Sequence, residues 1–128
     1  MERTTVHDLL NEARSHLRRL EPSEALDAVN GGALLIDVRS DDQRANAGSI
    51  PGALPIPLSV LEWRVDPESG HQDPAVGEDL DRQVILICAQ GFSSSLAARR
   101  LQELGFTNAT DVIGGFEAWR SAGLPVHL

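Results

Sequence analysis

The 128-residue sequence contains one cysteine, no lysine and no long hydrophobic run. A single cysteine excludes an internal disulfide and a zinc site built from several cysteines. No apolar stretch approaches the roughly 18 residues that a membrane-spanning helix needs. Residues 1–19 carry charges throughout and have no apolar core of the kind found in a signal peptide. We therefore expect a cytoplasmic protein that does not contact a membrane.

Positive charge is also scarce in this chain. All eleven basic residues are arginines, and 19 acidic residues bring the net charge to −8 at pH 7. Nucleic acid would be repelled by this balance, so no nucleic-acid partner is expected. The four histidines are scattered along the sequence, which does not favour a metal site. No glycine pattern matches a phosphate-binding or dinucleotide-binding loop. Together with the scattered histidines, this leads us to expect neither a metal nor another cofactor.

The hydrophobic pattern predicts strands that alternate with helices. Residues 33–38 and 84–88 are continuous apolar runs, typical of strands that are covered on both faces. Residues 110–113 form a shorter run, and residues 54–58 contain two prolines and predict a weak or edge strand. The acidic, proline- and glycine-containing residues 66–82 predict an exposed loop, or a loop that contains a short helix. This order is typical of an α/β fold with a mainly parallel sheet.

Helices are predicted between these strands and before them. Residues 5–19 show amphipathic spacing with Thr4 or Thr5 as the N-cap. A second helix begins at Pro22 and ends at Gly31. Further helices are expected after residue 95 and around Trp119. The apolar face of the first helix consists of Val6, Leu9, Leu10, Ala13 and Leu17.

A candidate site lies where the strand 84–88 ends at Cys88. Ligands of parallel sheets bind at the carboxyl ends of strands, and a glycine- and serine-containing loop that leads into a helix can form an anion-binding cradle. A thiol in that position should have a pKa below the free value of about 8.5 and act as a nucleophile. The alternative is that Cys88 is a small buried hydrophobe at the end of a core strand. The loop residues favour the first interpretation; they are Ala89, Gln90, Gly91, Phe92, Ser93 and Ser94.

Four segments resemble the rhodanese (sulfurtransferase) family in order and spacing. Residues 88–94 resemble its active-site loop, and residues 35–39 resemble its strand that ends in Asp-x-Arg. Residues 48–53 resemble its Gly-His-Ile-Pro-Gly-Ala turn, with serine in place of histidine. Residues 114–119, followed by Gly-Leu-Pro at 123–125, resemble its C-terminal signature.

The resemblance implies a fold and a division of the chain. It covers residues 18–127 and implies a three-layer rhodanese-like α/β fold, with a mainly parallel five-stranded sheet flanked by helices. Residues 18–128 would then form the rhodanese domain. Residues 1–17 would be an N-terminal amphipathic helix extension of that domain.

The resemblance also implies an activity, thiosulfate:cyanide sulfur transfer. Cys88 would take the outer sulfur of a small anionic donor such as thiosulfate, become a persulfide, and pass the sulfur to cyanide or a thiol. A protein could also serve as the sulfur acceptor. The loop residues 89–94 would bind the anion, with Ser93 and Ser94 donating hydroxyl hydrogen bonds and one of them capping the following helix. Many family members have a cationic side chain at the position of Ser93, so this loop should bind the thiosulfate dianion more weakly.

Two other functions remain open from the sequence. One is a rhodanese-like binding or regulatory module with weak or no turnover, against which the retained Cys88 counts. The other is a cysteine-based reductase or phosphatase acting on an oxyanion. The absence of an arginine in residues 89–95 and of a second cysteine in the chain both count against that chemistry.

Three charged residues are candidates for supporting roles. Asp37 and Arg39 would form an ion pair beneath the loop, or else cap the strand end without a catalytic role. Arg64, which follows the predicted strand at residues 54–58, would supply the missing positive charge at the pocket mouth, or else be an ordinary surface arginine. Arg39 is the alternative source of that charge. Trp63 and Trp119 are expected in the core or the pocket wall.

Overall fold

The computed structural model of the chain describes residues 2–128. Its centre is a sheet of four parallel strands in the order β2-β1-β3-β4. The strands β1 and β3 are buried along their whole length, which explains why their sequences are continuous apolar runs. Their register pairs Leu34 with Val84 and Asp37 with Ile87. The strands are β1 (Leu34–Asp37), β2 (Leu54–Pro55), β3 (Val84–Ile87) and β4 (Ala109–Asp111).

The parallel sheet is confirmed, but the prediction of five strands is wrong for the part of the chain described. Beside β4, Leu20 makes a single parallel bridge with Val112 where a fifth strand would lie. The chain cannot extend this pairing because the next helix begins at Pro22, with Glu21 as its N-cap. A proline lacks the N–H that a longer ladder would need.

Helices cover both faces of the sheet and complete three layers. One face packs against α4 and α5, and the other packs against α2 and α6. Trp119 of α6 is fully buried, as expected, whereas Trp63 of α4 is 56% exposed and its predicted burial is wrong. The helices are α1 (Val6–Ser15), α2 (Pro22–Asn30), α3 (Asp41–Ala47), α4 (Leu61–Val65), α5 (Ser93–Glu103) and α6 (Gly115–Ser121), with a 3₁₀ turn at Leu58–Val60.

The helix α1 lies on α5 and not on the sheet. Thr5 caps it through a reciprocal pair of hydrogen bonds with Asp8, so the second of the two N-cap candidates is confirmed. Ala13 is buried, whereas Val6 and Leu9 of the predicted apolar face are exposed. The face that α1 turns to α5 also carries Arg14, whose contacts are described below.

The loop at residues 66–82 contains no helix or strand, which confirms the predicted loop. Two short helices, in contrast, were not predicted. The helix α3 begins after Ser40, whose hydroxyl accepts the Gln43 N–H in a capping box. The helix α4 follows the 3₁₀ turn directly and buries Leu61 and Val65. No helix in residues 2–128 combines the length and the apolar character that crossing a membrane requires.

Candidate functional site

Cys88 lies immediately after β3, at the carboxyl edge of the sheet. It is a free cysteine and only 6% exposed. The residue lines a cavity of about 460 Å³. The ends of β1 and β3, the start of α3, the 3₁₀ turn and the loop before α5 form the walls of this cavity. The strand therefore presents a nearly buried sulfur to a space large enough for a small ligand.

Hydrogen-bond donors converge on the sulfur of Cys88. The Gly91 N–H donates to Sγ at 3.1 Å, and the Ser94 hydroxyl lies 3.2 Å from Sγ. Burial raises the pKa of the Cys88 thiol, but hydrogen bonds from the Ser94 and Ser93 hydroxyls and from the Ser94 and Gly91 N–H groups outweigh it. The pKa is lowered as a result, in the direction that the sequence predicts.

The first turn of α6 holds the carbonyl groups of the same loop. The Phe116 N–H donates to the Cys88 carbonyl at 2.8 Å, and the Glu117 N–H donates to the Ala89 carbonyl at 3.1 Å. Gly115 has φ of +62°, and a Cβ there would lie 2.5 Å from the Cys88 carbonyl oxygen. The glycine therefore allows α6 to approach the loop closely. The Cys88 and Ala89 carbonyls are thus bound by α6, while the Gly91 N–H of the same loop donates to the sulfur.

A second set of contacts holds the loop on the side of α1. The Gly91 carbonyl accepts hydrogen bonds from Arg14 at 2.8 Å and from Arg19 at 3.0 Å. Gly91 itself has φ of +85°, and a Cβ there would lie 2.8 Å from the Gly114 N. No pattern in the sequence points to either arginine, because both lie more than 70 residues away from the loop in the chain.

Asp111, at the end of β4, is a further residue that the sequence analysis did not identify. Its carboxylate is fully buried and accepts hydrogen bonds from the hydroxyls of Ser94 at 2.8 Å and Ser95 at 2.7 Å. Arg19 pairs with the same carboxylate at 2.9 Å. Ser94 thus lies between the sulfur and a buried ion pair, and it does not cap α5, whose N-cap is Phe92.

Asp37 and Arg39 form a buried ion pair near the cavity. Arg39 donates to the Asp37 carboxylate at 2.7 Å and to the Gly48 carbonyl at 2.9 Å, and both side chains are 1% exposed. The guanidinium also lies over the ring of Phe116, 3.8 Å from its centroid. These contacts join β1 to the turn after α3 and to α6. Arg39 also lines the cavity beside Cys88, and its remaining terminal nitrogen is buried without a hydrogen-bond partner among the described residues.

Arg64 is not brought to the cavity. Its guanidinium donates to the His71 carbonyl at 2.7 Å and lies 3.4 Å from the Asp73 carboxylate, so it is held on the acidic loop. The expectation that Arg64 supplies positive charge at the pocket mouth therefore needs correction. The Arg64 side chain does not contact the Cys88 loop, because it extends from α4 toward residues 71–73.

The remaining loop residues lie at the edge of the cavity. Gln90 is exposed, and its side-chain amide N–H donates to the Glu117 carboxylate at 3.3 Å. Phe92 is also exposed and forms part of the apolar rim. Among residues 2–128, no group of three or more histidine, cysteine or acidic side chains is arranged to hold a metal ion.

Comparison with known proteins identifies the family. Residues 21–122 match the Rhodanese-like domain family. The chain belongs to the rhodanese-like family. One curated relative, the thiosulfate sulfurtransferase GlpE of Pseudomonas entomophila, is 36% identical over 107 residues, which cover 84% of this chain and 88% of that protein. The rhodanese resemblance of the four sequence segments is thereby confirmed.

Solved structures agree with this assignment. The human single-domain sulfurtransferase TSTD1 is 30% identical, with a TM-score of 0.68, and the match covers 80% of this chain and 95% of TSTD1. A protein of unknown function from Rhodopseudomonas palustris, described as a possible tyrosine phosphatase, is 31% identical with a TM-score of 0.87. That match covers 99% of both chains, so it includes the rhodanese-like domain and α1. The chain is a single-domain member of a sulfurtransferase family.

Proposed function

We propose that this protein transfers sulfane sulfur from thiosulfate or a similar anionic donor to cyanide or a thiol through a persulfide on Cys88. The observation that carries the proposal is the position of the sulfur. It lines the cavity, it accepts the Gly91 N–H, and its pKa is lowered. The name of GlpE, a thiosulfate sulfurtransferase that aligns with most of this chain, supports thiosulfate as a donor.

The reaction divides into two displacements at sulfur. The Cys88 thiolate attacks the outer sulfur of thiosulfate, a new S–S bond forms, and the bond to the sulfonate group breaks with its electron pair leaving on sulfite. Cyanide or a thiolate then attacks the terminal sulfur of the persulfide. The S–S bond breaks, the product leaves as thiocyanate or a new persulfide, and Cys88 regains its thiolate. Neither step needs an external oxidant or a cofactor.

The loop stabilises the negative charge of the Cys88 thiolate at the start and at the end of the cycle. The Gly91 N–H and the Ser94 hydroxyl contact Sγ directly, so they stabilise the thiolate before the first attack and after the second. A cytoplasmic location fits this chemistry, because the cytosol keeps thiols reduced. A protein thiol would have access to the sulfur only through the cavity mouth, where Phe92 and Leu58 are exposed.

Steady-state thiosulfate:cyanide kinetics test this function. We expect measurable thiocyanate formation by the wild-type protein and none above background by Cys88→Ala or Cys88→Ser, because the sequence has no second thiol. Circular dichroism and thermal unfolding of both variants serve as controls for folding. A Cys88→Ala variant that keeps near-wild-type turnover would contradict the mechanism, and a folded wild type without turnover with any sulfane donor would favour a binding module.

A second candidate, phosphate-ester hydrolysis, is raised by the description of the Rhodopseudomonas palustris protein as a possible tyrosine phosphatase. A cysteine phosphatase needs a cationic side chain to hold phosphate in the loop, and residues 89–95 contain no arginine. Arg14 approaches this loop, but it donates to the Gly91 carbonyl. We therefore expect no hydrolysis of p-nitrophenyl phosphate above the level of Cys88→Ser.

A further inference from the structure

The loop around Cys88 is held from two sides, and only one side belongs to the family-matched region. The first turn of α6 binds the carbonyls of Cys88 and Ala89. The Gly91 carbonyl is bound instead by Arg14 and Arg19, which lie before residue 21, where the family match begins. We propose that Arg14 and Arg19 are positioning residues of the sulfur-transfer loop, so that the N-terminal segment is a part of the active site.

The contacts of Arg14 fix it against the loop and the start of α5. Its Nε donates to the Ser95 hydroxyl at 3.1 Å while its terminal nitrogen donates to the Gly91 carbonyl at 2.8 Å. The guanidinium also lies 5.7 Å from the centroid of the Phe92 ring. One planar fork therefore contacts three residues of the loop and the first turn of α5, and a lysine could not reproduce that set of contacts.

Arg19 supplies the second hydrogen bond to Gly91 from another direction. Its terminal nitrogen donates to the Gly91 carbonyl at 3.0 Å, and its Nε donates to the buried Asp111 carboxylate at 2.9 Å. The charge of Arg19 is thus balanced by Asp111. In the thiol form, the Ser94 hydroxyl donates to Asp111 and accepts from the Cys88 thiol. Ionisation of Cys88 removes that donor, and because Arg19 and Ser95 still bind Asp111, the single Ser94 proton is able to turn to the thiolate.

Holding the Gly91 carbonyl determines where the next N–H points. In a planar trans peptide the carbonyl oxygen and the following N–H point in opposite directions. With the Gly91 oxygen on the two arginines, the Phe92 N–H points away from them. This N–H has no hydrogen-bond partner among residues 2–128, and Phe92 lines the cavity, so the N–H is free to donate to an anion bound there. A released Gly91 carbonyl could instead rotate its negative end toward the sulfur.

Arg14 also provides positive charge that the loop itself lacks. Burial and the neighbouring Arg19 charge lower the pKa of Arg14, whereas Asp111 and the Cys88 anion raise it. The attraction between the Arg14 guanidinium and the Cys88 thiolate acts on both groups and favours the thiolate. No carboxylate within residues 2–128 forms a salt bridge with Arg14, and the Asp111 carboxylate that acts on it is already paired with Arg19.

The test compares Arg14→Ala and Arg14→Lys with Arg18→Ala. Arg18 is an exposed arginine four residues away whose side chain makes no hydrogen bond within the described chain, so its removal costs the same charge without the loop contacts. The readout is the pH dependence of Cys88 alkylation by iodoacetamide, measured beside thermal unfolding and steady-state kinetics. A role limited to folding would change the unfolding temperature and leave the alkylation profile in place.

For Arg14→Ala we expect the alkylation midpoint to move to higher pH and the rate at pH 7 to fall roughly three- to tenfold, the effect of one part-buried charge. Arg14→Lys should recover part of this loss, and Arg18→Ala should match the wild type. An Arg14→Ala profile that coincides with those of the wild type and Arg18→Ala would overturn the role of Arg14. If Arg14→Ala does not fold, Arg14→Lys tests the role of Arg14, because it keeps the charge and loses the forked hydrogen bonds of the guanidinium. An alkylation profile of Arg14→Lys equal to that of the wild type would then overturn the role of Arg14.

Arg19 is tested by Arg19→Lys, because Arg19→Ala would leave the buried Asp111 carboxylate without its cation. We expect alkylation at pH 7 to slow about twofold or more, since an ammonium group cannot hold Asp111 and Gly91 in the same fork geometry. An unchanged profile would remove Arg19 from the proposal. The inference rests on the proposed function only in naming Cys88 as the reacting group. Alkylation needs no turnover, so a wild type that lacks sulfur transfer but shows the Arg14 effect would contradict the function alone.

Discussion

Replacing Ser94 with alanine tests how the loop lowers the pKa of Cys88. The Ser94 hydroxyl lies 3.2 Å from Sγ and makes the largest of the hydrogen-bond contributions that lower this pKa. A hydrogen bond to a charged group is worth about 1.5–3 kcal/mol, and water entering from the cavity would replace part of it, which leaves a net loss of about 1 kcal/mol. The ratio of thiolate to thiol should therefore fall roughly fivefold at any given pH.

The assay is the rate of Cys88 alkylation between mildly acidic and alkaline pH. Because hydrogen bonds stabilise the thiolate, their loss moves the midpoint upward, and the rates of the two proteins should converge at high pH, where both are ionised. Ser95→Ala is the comparison variant, since its hydroxyl also donates to Asp111 but has no contact with Sγ. It removes the acceptor of the Arg14 Nε–H as well, so we expect a shift of its midpoint that is smaller than that of Ser94→Ala. A Ser94→Ala midpoint equal to that of the wild type, or a larger shift in Ser95→Ala, would refute this account of the acidity.

Three further predictions concern the backbone, the pH dependence of stability and the corrected arginine. Gly115→Ala should destabilise the protein by roughly 2–4 kcal/mol and abolish sulfur transfer, because its Cβ would lie 2.5 Å from the Cys88 carbonyl oxygen. The control Gly70→Ala, with φ of +82° and open space around the residue, should cost about 1 kcal/mol of stability and leave activity intact. If the two variants lost equal stability in thermal unfolding and equal activity, the packing argument would be contradicted. Because the pKa of Cys88 is lowered in the folded state, the free energy of unfolding of the wild type should rise relative to that of Cys88→Ser as pH increases through the folded-state pKa. This gain should be complete above the pKa of an unfolded thiol. Urea titrations in which the difference between the two proteins stays constant or shrinks with rising pH would contradict the lowered pKa. Arg64→Ala should leave the Michaelis constant for thiosulfate unchanged. It should cost less than about 1 kcal/mol of stability, since its partner Asp73 lies on an exposed loop. A raised Michaelis constant would show that Arg64 acts at the site after all.

The parts of the fold that the sequence predicts are those where local pattern and tertiary environment agree. The apolar runs at β1 and β3 are buried on both faces, so nothing in their surroundings changes the expected strand. Thr5 and Asp8 form a complete local cap, which does not depend on the rest of the chain. The loop after Cys88 was predictable for a similar reason, because the strand end, the glycine and the serines are contiguous.

The elements that were missed depend on contacts between distant segments. The single bridge of Leu20 ends because Pro22 begins a helix, and a resemblance alone does not show how long an edge pairing is. Arg14 reaches the loop because α1 packs on α5, whereas charged residues on an amphipathic helix ordinarily face solvent. Arg19, which follows α1, is held at the loop by the distant Asp111. Arg64 was placed at the site from its position after a strand, but its side chain is held by His71.

The central claim, that Cys88 carries sulfur as a persulfide, is tested most directly by intact-mass spectrometry after incubation with thiosulfate. The account predicts that the wild-type chain gains the mass of one sulfur atom, that peptide mapping places it on Cys88, and that cyanide removes it. Cys88→Ser, treated in parallel, should gain nothing. A wild type whose mass does not change, or a Cys88→Ser protein that gains sulfur equally, would contradict the claim.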